Sequence, residues 1–208
     1  MQPLKVRTGS HCQPAESGKY NPAAGIQQRI LLPVPSRVIP AVKITKEGMA
    51  KWMRLKNILF VVSDIERSKK FYRELFGLNV TADFGENVVL TEGLALQEKK
   101  LWESFIGRNV SAGGNDAELY FEENHIDEFL KKLEESEFEI EYLNRCIEHD
   151  WGQRVIRIYD PDRHVIEIGE SMNFVVRRFL LSGMSAEQTA AKTQMPLSQV
   201  ETIEREIS

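Results

Sequence analysis

Apolar and polar positions first fall into a regular pattern at Asn57, where "NILFVV" reads as a β-rich run and "SDIERSKKFYRELFG" follows it. Ile65, Ser68, Tyr72, Leu75 and Phe76 recur at helical spacing, Ser63 with Glu66 reads as a capping box, and Gly77 suits a C-cap. Three short segments separated by glycine-containing turns come next, "LNVTADFG", "NVVLTEG" and "LALQEKK", and each reads as a strand. "QEKKLWESFIG" overlaps the last of them and predicts an amphipathic linker helix, with Trp102 and Phe105 expected in the core. The order then repeats. "AELYFEE" predicts a strand, Ile126, Phe129, Leu130 and Leu133 a helix capped near Asn124, and "FEIEYL", "RVIRIYD" and "HVIEIGE" three more strands. Asp160-Pro161-Asp162 marks the last turn.

Two βαβββ modules are therefore predicted, about 54–113 and 114–171, together forming a 53–171 domain of α+β class. Setting Ile65 against Ile126 also sets Phe60 against Phe121 and Asn57 against Glu118. Neither half buries its sheet alone, so the expectation is a curved mixed sheet around a cavity, built from paired modules. Alternation along the strands sorts side chains by face. With Phe60, Phe121, Leu96 and Ile168 packed on the helices, Asn57, Gln97, Glu118 and Glu167 face the other way and form a ring of oxygen-bearing groups.

Composition alters the picture mainly at the ends. Residues 1–52 hold six of the eight prolines, show neither apolar period, and carry eight Lys/Arg against two Glu. Their balance of about +6 leaves about −10 for the rest of a chain whose net charge is −4. This leader reads as a disordered basic arm, as an acid-poor targeting segment, or as sequence upstream of a true start at Met49 or Met53. Its longest apolar run, "ILLPVPSRVIPAV", is broken by Pro33, Pro35, Arg37 and Pro40, which leaves no candidate membrane span. Cys12 and Cys146 have spacing that suits neither a metal knuckle nor a disulfide framework, and a cytoplasmic protein is expected.

Residues 172–208 read as a helical extension: one helix through Phe174, Val175, Phe179 and Leu180, a break at Gly183, a second from Ser185 and a third from Leu197 to Glu204. "GMSAEQTAAKTQMPLSQV" resembles a helix-turn-helix. Its third helix carries Glu201, Glu204 and Glu206, which repel phosphates, so a cap or dimer contact is expected and DNA binding is not. Between the last strands, His149, Trp151 and Arg154 bunch in "CIEHDWGQRVIR"; with Tyr120 they are candidate substrate-binding residues at a cavity mouth. The opposing expectation is that Trp151 plugs a sheet end and His149 is solvated. His125 and His164, at a helix start and a strand start, read as structural.

"VVSDIERSKKFYRELFGL" with "DPDRHVIEI" resembles the vicinal oxygen chelate superfamily, which includes glyoxalase I, extradiol dioxygenases and bleomycin resistance proteins. The likeness spans about Arg54 to Ser171. It implies a small-molecule site and a homodimer. The function it implies is a metal-assisted lyase, isomerase or dioxygenase, or a metal-free binder of the antibiotic-sequestering kind; a ligand-sensing regulator, with the cavity as sensor and the C-terminal helices as output, is the third reading. In metal-using members the ligands come from the first and last strand of each half, here Asn57, Gln97 (Glu98 if the register slips by one), Glu118 and Glu167, with Glu118 and Glu167 as candidate catalytic carboxylates. One divalent metal (Mg, Mn, Fe, Ni or Zn) is implied; two carboxylates and two amides favour a hard cation such as Mg or Mn. Arg163 stands where the family has Gly, which costs about 1 kcal/mol if that residue needs positive φ.

Overall fold

The computed structural model describes residues 54–207 together with Gln13 and Pro14. The rest of the leader, with Cys12, Met49 and Met53, lies outside the described residues.

In the first module the strands are β2 (Ile58–Val62), β3 (Val80–Asp83), β4 (Asn87–Leu90) and β5 (Leu94–Glu98), with helix α1 (Ile65–Phe76) after β2. The second has β6 (Glu118–Glu122), α3 (Ile126–Glu134), β7 (Tyr142–Glu148), β8 (Arg154–Tyr159) and β9 (Val165–Gly169). Helix α2 (Lys99–Ile106) links them. The duplication expected from sequence is present down to pairing. The orders are β2-β5-β4-β3 and β6-β9-β8-β7, with the first and last strand of each module parallel and the remaining neighbours antiparallel. The second sheet gains a short edge strand, β1 (Gln13–Pro14), parallel to β7.

One core serves both modules. Phe60, Val62, Leu94 and Leu96 of the first sheet and Ile156, Ile158, Ile166 and Ile168 of the second join Phe71, Leu75, Phe129 and Leu130 from α1 and α3 in a single buried cluster. Burying each such side chain contributes roughly 1.5–3 kcal/mol. Phe76 stacks on Phe121 with ring centroids 4.5 Å apart, and Phe60 stacks on His164 at 4.1 Å. The modules thus meet through their helix-bearing sides, and the faces holding the expected ring point away from this core.

The two motifs that carried the family resemblance touch each other. The Tyr72 hydroxyl of α1 donates to Asp160 Oδ2 at 2.8 Å, and the backbone N–H and hydroxyl of Ser63 both donate to Asp162 Oδ1, at 2.9 and 2.6 Å. Arg67 adds an ion pair to Asp162. The Asp-Pro-Asp turn of the second module therefore closes over the start of the first module's helix.

Several local expectations need correction. Asp64, not Ser63, caps α1 by accepting from Arg67 N, because Ser63 is engaged by Asp162. Asn124 does not cap α3; its side chain accepts from Ser171, and His125 is the N-cap without a side-chain bond. Phe138–Glu141 is not strand, and β7 instead spans Tyr142–Glu148, where the apolar alternation is masked by two bulges. Phe105 is 65% exposed, so α2 buries less than its pattern suggested. Cys146 sits in the core and is disulfide-bonded, which spacing did not indicate.

The extension forms α4 (Met172–Leu181), α5 (Ala186–Thr193) and α6 (Leu197–Ile207) around their own small core of Met172, Val175, Val176, Ala186, Met195, Val200 and Ile203. Ser185 and Gln188 make a complete capping box on α5. Among the described residues, no helix is long and apolar enough to cross a membrane.

Candidate functional site

Strand register decides which ring positions are equivalent. Phe60 pairs with Leu96, and its counterpart Phe121 pairs with Ile168. Leu96 therefore corresponds to Ile168, which makes Ala95 the counterpart of Glu167 and Gly169 the counterpart of Gln97. The first module has no oxygen ligand where the second has Glu167.

Its other candidates are occupied locally. Asn57 lies just before β2 and donates to Gly93 O at 3.3 Å. Gln97 is buried, its Nε2 donating to Glu86 O at 2.8 Å and its Oε1 accepting from Asn87 at 2.9 Å. Glu98 accepts from Leu101 N at 2.7 Å as the N-cap of α2, and these helix-start amides lower its pKa. Ala95 is buried as well, and α2 packs against the same two strands, β2 and β5.

The second module keeps an open polar face. Glu118, Tyr120 and Glu122 alternate along edge strand β6, and Glu167 lies beside Tyr120 on β9. Opposite Glu167 on β8 is Arg157, and the two form an ion pair. Both are largely covered, at 25% and 13% side-chain exposure, so the pair is far from a freely solvated surface bridge. Burial raises the Glu167 pKa, Arg157 pulls it down, and neighbouring Glu118 pushes it up again. An open depression of about 480 Å³ adjoins the pair, lined by Asn115, Asp116, Glu118, Leu143, Arg157 and Val165 among others.

One end of this face is walled by the His149–Gln153 turn. His149 stacks flat on Trp151, with centroids 4.3 Å apart, and burial followed by the charge of Arg157 lowers its pKa. Trp151 Nε1 donates to Gln153 Oε1 at 3.1 Å, and Gln153 Nε2 donates to the Tyr120 hydroxyl at 3.2 Å. Burial, then Glu122 and Glu167, push the Tyr120 pKa up to about 12, so the phenol stays protonated. The structure thus brings His149, Trp151, Tyr120, Glu118 and Glu167 to one side of the second sheet.

Arg154 belongs elsewhere. It sits on the helix side of β8, where it binds buried Glu170 through Nε and Nη2 at 2.9 and 2.7 Å and Asp127 through Nη1 at 2.9 Å. Sequence reasoning missed Arg157. The alternation in "RVIRIY" was the available signal, since it puts Arg157 and Arg154 on opposite faces of one strand.

The donor set does not fit a divalent ion. Gln97 has spent its amide on Asn87 and Glu86, Ala95 offers no donor, and Glu167 is matched by a guanidinium cation. No group of three or more His, Cys, Asp or Glu side chains is gathered in metal-holding geometry among the described residues.

Comparison with known proteins agrees with the fold. The chain is similar to a protein of unknown function from Agrobacterium tumefaciens, at 36% identity over 59% of this chain and 98% of that one, with a TM-score of 0.51. It is also similar to a lactoylglutathione lyase from Agrobacterium tumefaciens (20% identity, 59% and 96% covered, TM-score 0.45). A glyoxalase/bleomycin resistance protein/dioxygenase family enzyme from Burkholderia phytofirmans is similar at 16% identity (55% and 96% covered, TM-score 0.47). No curated protein matches the sequence. The glyoxalase-like domain profile matches residues 55–173, which is more than half of the chain and coincides with the paired modules. The chain belongs to the glyoxalase-like domain family.

Proposed function

We propose that this chain binds a small polar molecule without a metal, in the manner of the family's ligand-sequestering members, on the open face formed by β6, β8 and β9. The Arg157–Glu167 ion pair carries the reading. A carboxylate already neutralised by a half-buried guanidinium is a poor ligand for a cation, since binding would expel or strand Arg157. The same pair offers a donor fork and an acceptor side by side, and Arg157 lines the depression together with Glu118, Leu143 and Val165. That is a recognition surface for a ligand with both polar groups and an apolar body.

A homodimer fits this reading. The open face of the second module points away from the shared core, and a second copy of the chain would cover it.

The rival is a metal-assisted lyase, isomerase or dioxygenase. Thermal unfolding of full-length protein purified without chelators, titrated with Mg, Mn, Fe(II), Ni and Zn, separates the two. A site saturated to 100 times its Kd stabilises by about 2.7 kcal/mol, a shift of several degrees. The expected result is no shift that depends on the carboxylates. A shift seen with the natural chain and abolished by Glu118→Gln with Glu167→Gln would establish the metal site and end the metal-free reading.

A further inference from the structure

We infer that helix α4 sets the position of the His149–Gln153 turn, with Arg178 and Phe179 as positioning residues, and that Gln153 passes this placement to the Tyr120 hydroxyl on the open face.

Gly152 is where the helix meets the turn. Its φ of +87° is open to glycine, and a Cβ there would overlap the Phe179 ring, so the ring rests directly on backbone. The Gly152 carbonyl accepts from Arg178 Nη2. Two backbone bonds close the turn: His149 N to Gln153 O at 2.9 Å and Gly152 N to His149 O at 2.7 Å. Arg178 is itself held, because the same nitrogen lies 3.2 Å from Oε2 of Glu170, whose buried carboxylate also binds Arg154.

Gln153 completes the route. Its amide donates to both Glu170 O, at 2.8 Å, and the Tyr120 hydroxyl, at 3.2 Å, while its carbonyl accepts from Trp151. Both amide protons are used, so neither the rotamer nor the ring it supports is free to drift. An extension attached merely by its apolar core would need none of these polar contacts to the turn. Trp151 and Phe179 pack on the edge of that core as well, which ties the wall of the open face to the three-helix unit. The consequence for ligand binding rests on the function proposed above; the mechanical coupling does not, and its test uses no ligand.

The test is NMR on the full chain, comparing the natural protein with Arg178→Ala and with the milder Phe179→Leu. Amide exchange at His149 and Gly152 is expected to rise about tenfold, as a locally opened turn allows. Tyr120 ring signals should shift, while Ile156 and Ile168 amides keep their protection. Arg178→Lys, which keeps a positive charge and N–H donors on α4, should restore part of the protection. If α4 amides such as Val175 and Ser182 exchange faster in both variants while His149, Gly152 and Tyr120 are unchanged, the extension is an attached appendage and the inference fails.

Discussion

Replacing Tyr72 with Phe removes one hydroxyl from the seam between the modules and nothing else. Tyr72 is fully buried, and its ring contacts with Phe71 and Phe76 survive the change, so no cavity is made. What is lost is a 2.8 Å bond to Asp160, whose carboxylate also accepts from Asp162 N, His164 N and His164 Nδ1. A hydrogen bond to a charged acceptor is worth about 1.5–3 kcal/mol. Three remaining donors keep Asp160 from being stranded, which places the expected loss near the lower end, about 1.5–2 kcal/mol. For a domain of this size that is a fall in Tm of about 4–6 °C. The phenol cannot ionise in the assay, since burial and Asp160 raise its pKa well above the ordinary value, so the loss should not vary between pH 6 and 9 on its account. Urea unfolding of Tyr72→Phe, Asp160→Asn and the double variant gives the coupling directly, expected at about 1.5 kcal/mol. A loss below about 0.5 kcal/mol with additive single effects would refute the claim that this bond joins the two motifs.

Arg163 has a φ of +68° and also pairs with Glu141 and covers the Tyr159 ring, so strain and contact oppose each other there. Arg163→Ala keeps the left-handed conformation and loses the contacts, whereas Arg163→Gly relieves it; urea unfolding should find the Gly variant more stable than the Ala variant by about 1 kcal/mol, and equal stabilities would contradict the assigned backbone. His149 has a folded pKa held low by burial and by Arg157, against an opposing pull from Asp150. The unfolded chain therefore takes up the proton first, and stability fully present above the unfolded value of about 6.5 is lost as pH falls through the folded value. His149→Gln should flatten that part of the stability profile; an unchanged profile would mean the ring is not buried on Trp151.

The fold was legible because its signals are local and were repeated. Two βαβββ patterns at one offset predict paired modules of the same element order, and the structure adds that each forms its own sheet with the same strand order. The motif "DIERSKKFY" with "DPD" carries the family resemblance, and sequence alone gives no physical reason for the pairing. Tyr72 and Ser63 supply one, since both bond to the Asp-Pro-Asp turn across the module seam. Misplaced caps share a cause with this success. Ser63 and Asn124 are good capping residues that tertiary partners, Asp162 and Ser171, took for other purposes. Strand β7 was misplaced because two bulges break its alternation, and a period-2 search fails wherever an extra residue is inserted.

The candidate site was legible in one respect and hidden in another. Alternation assigns a face to each residue, and it put Glu118, Tyr120 and Glu167 on the same face, where the structure has them. It does not say how far along the strand a residue lies. Gln97 and Ala95 share a parity, and pairing alone shows that Ala95, not Gln97, is the counterpart of Glu167. Nor does alternation report charge pairing across strands. Reading the last strand of each module led to Glu167 as an open carboxylate, whereas its neighbour on β8 turns it into half of an ion pair. Arg154 and Arg157 show the same point from the other side: three residues apart in a strand, they are neutralised on opposite faces, one by Glu170 beneath the C-terminal helices and one by Glu167 on the open face. A carboxylate in an apolar strand is thus an incomplete signal until its cross-strand neighbour is known, and in this chain that neighbour is a guanidinium.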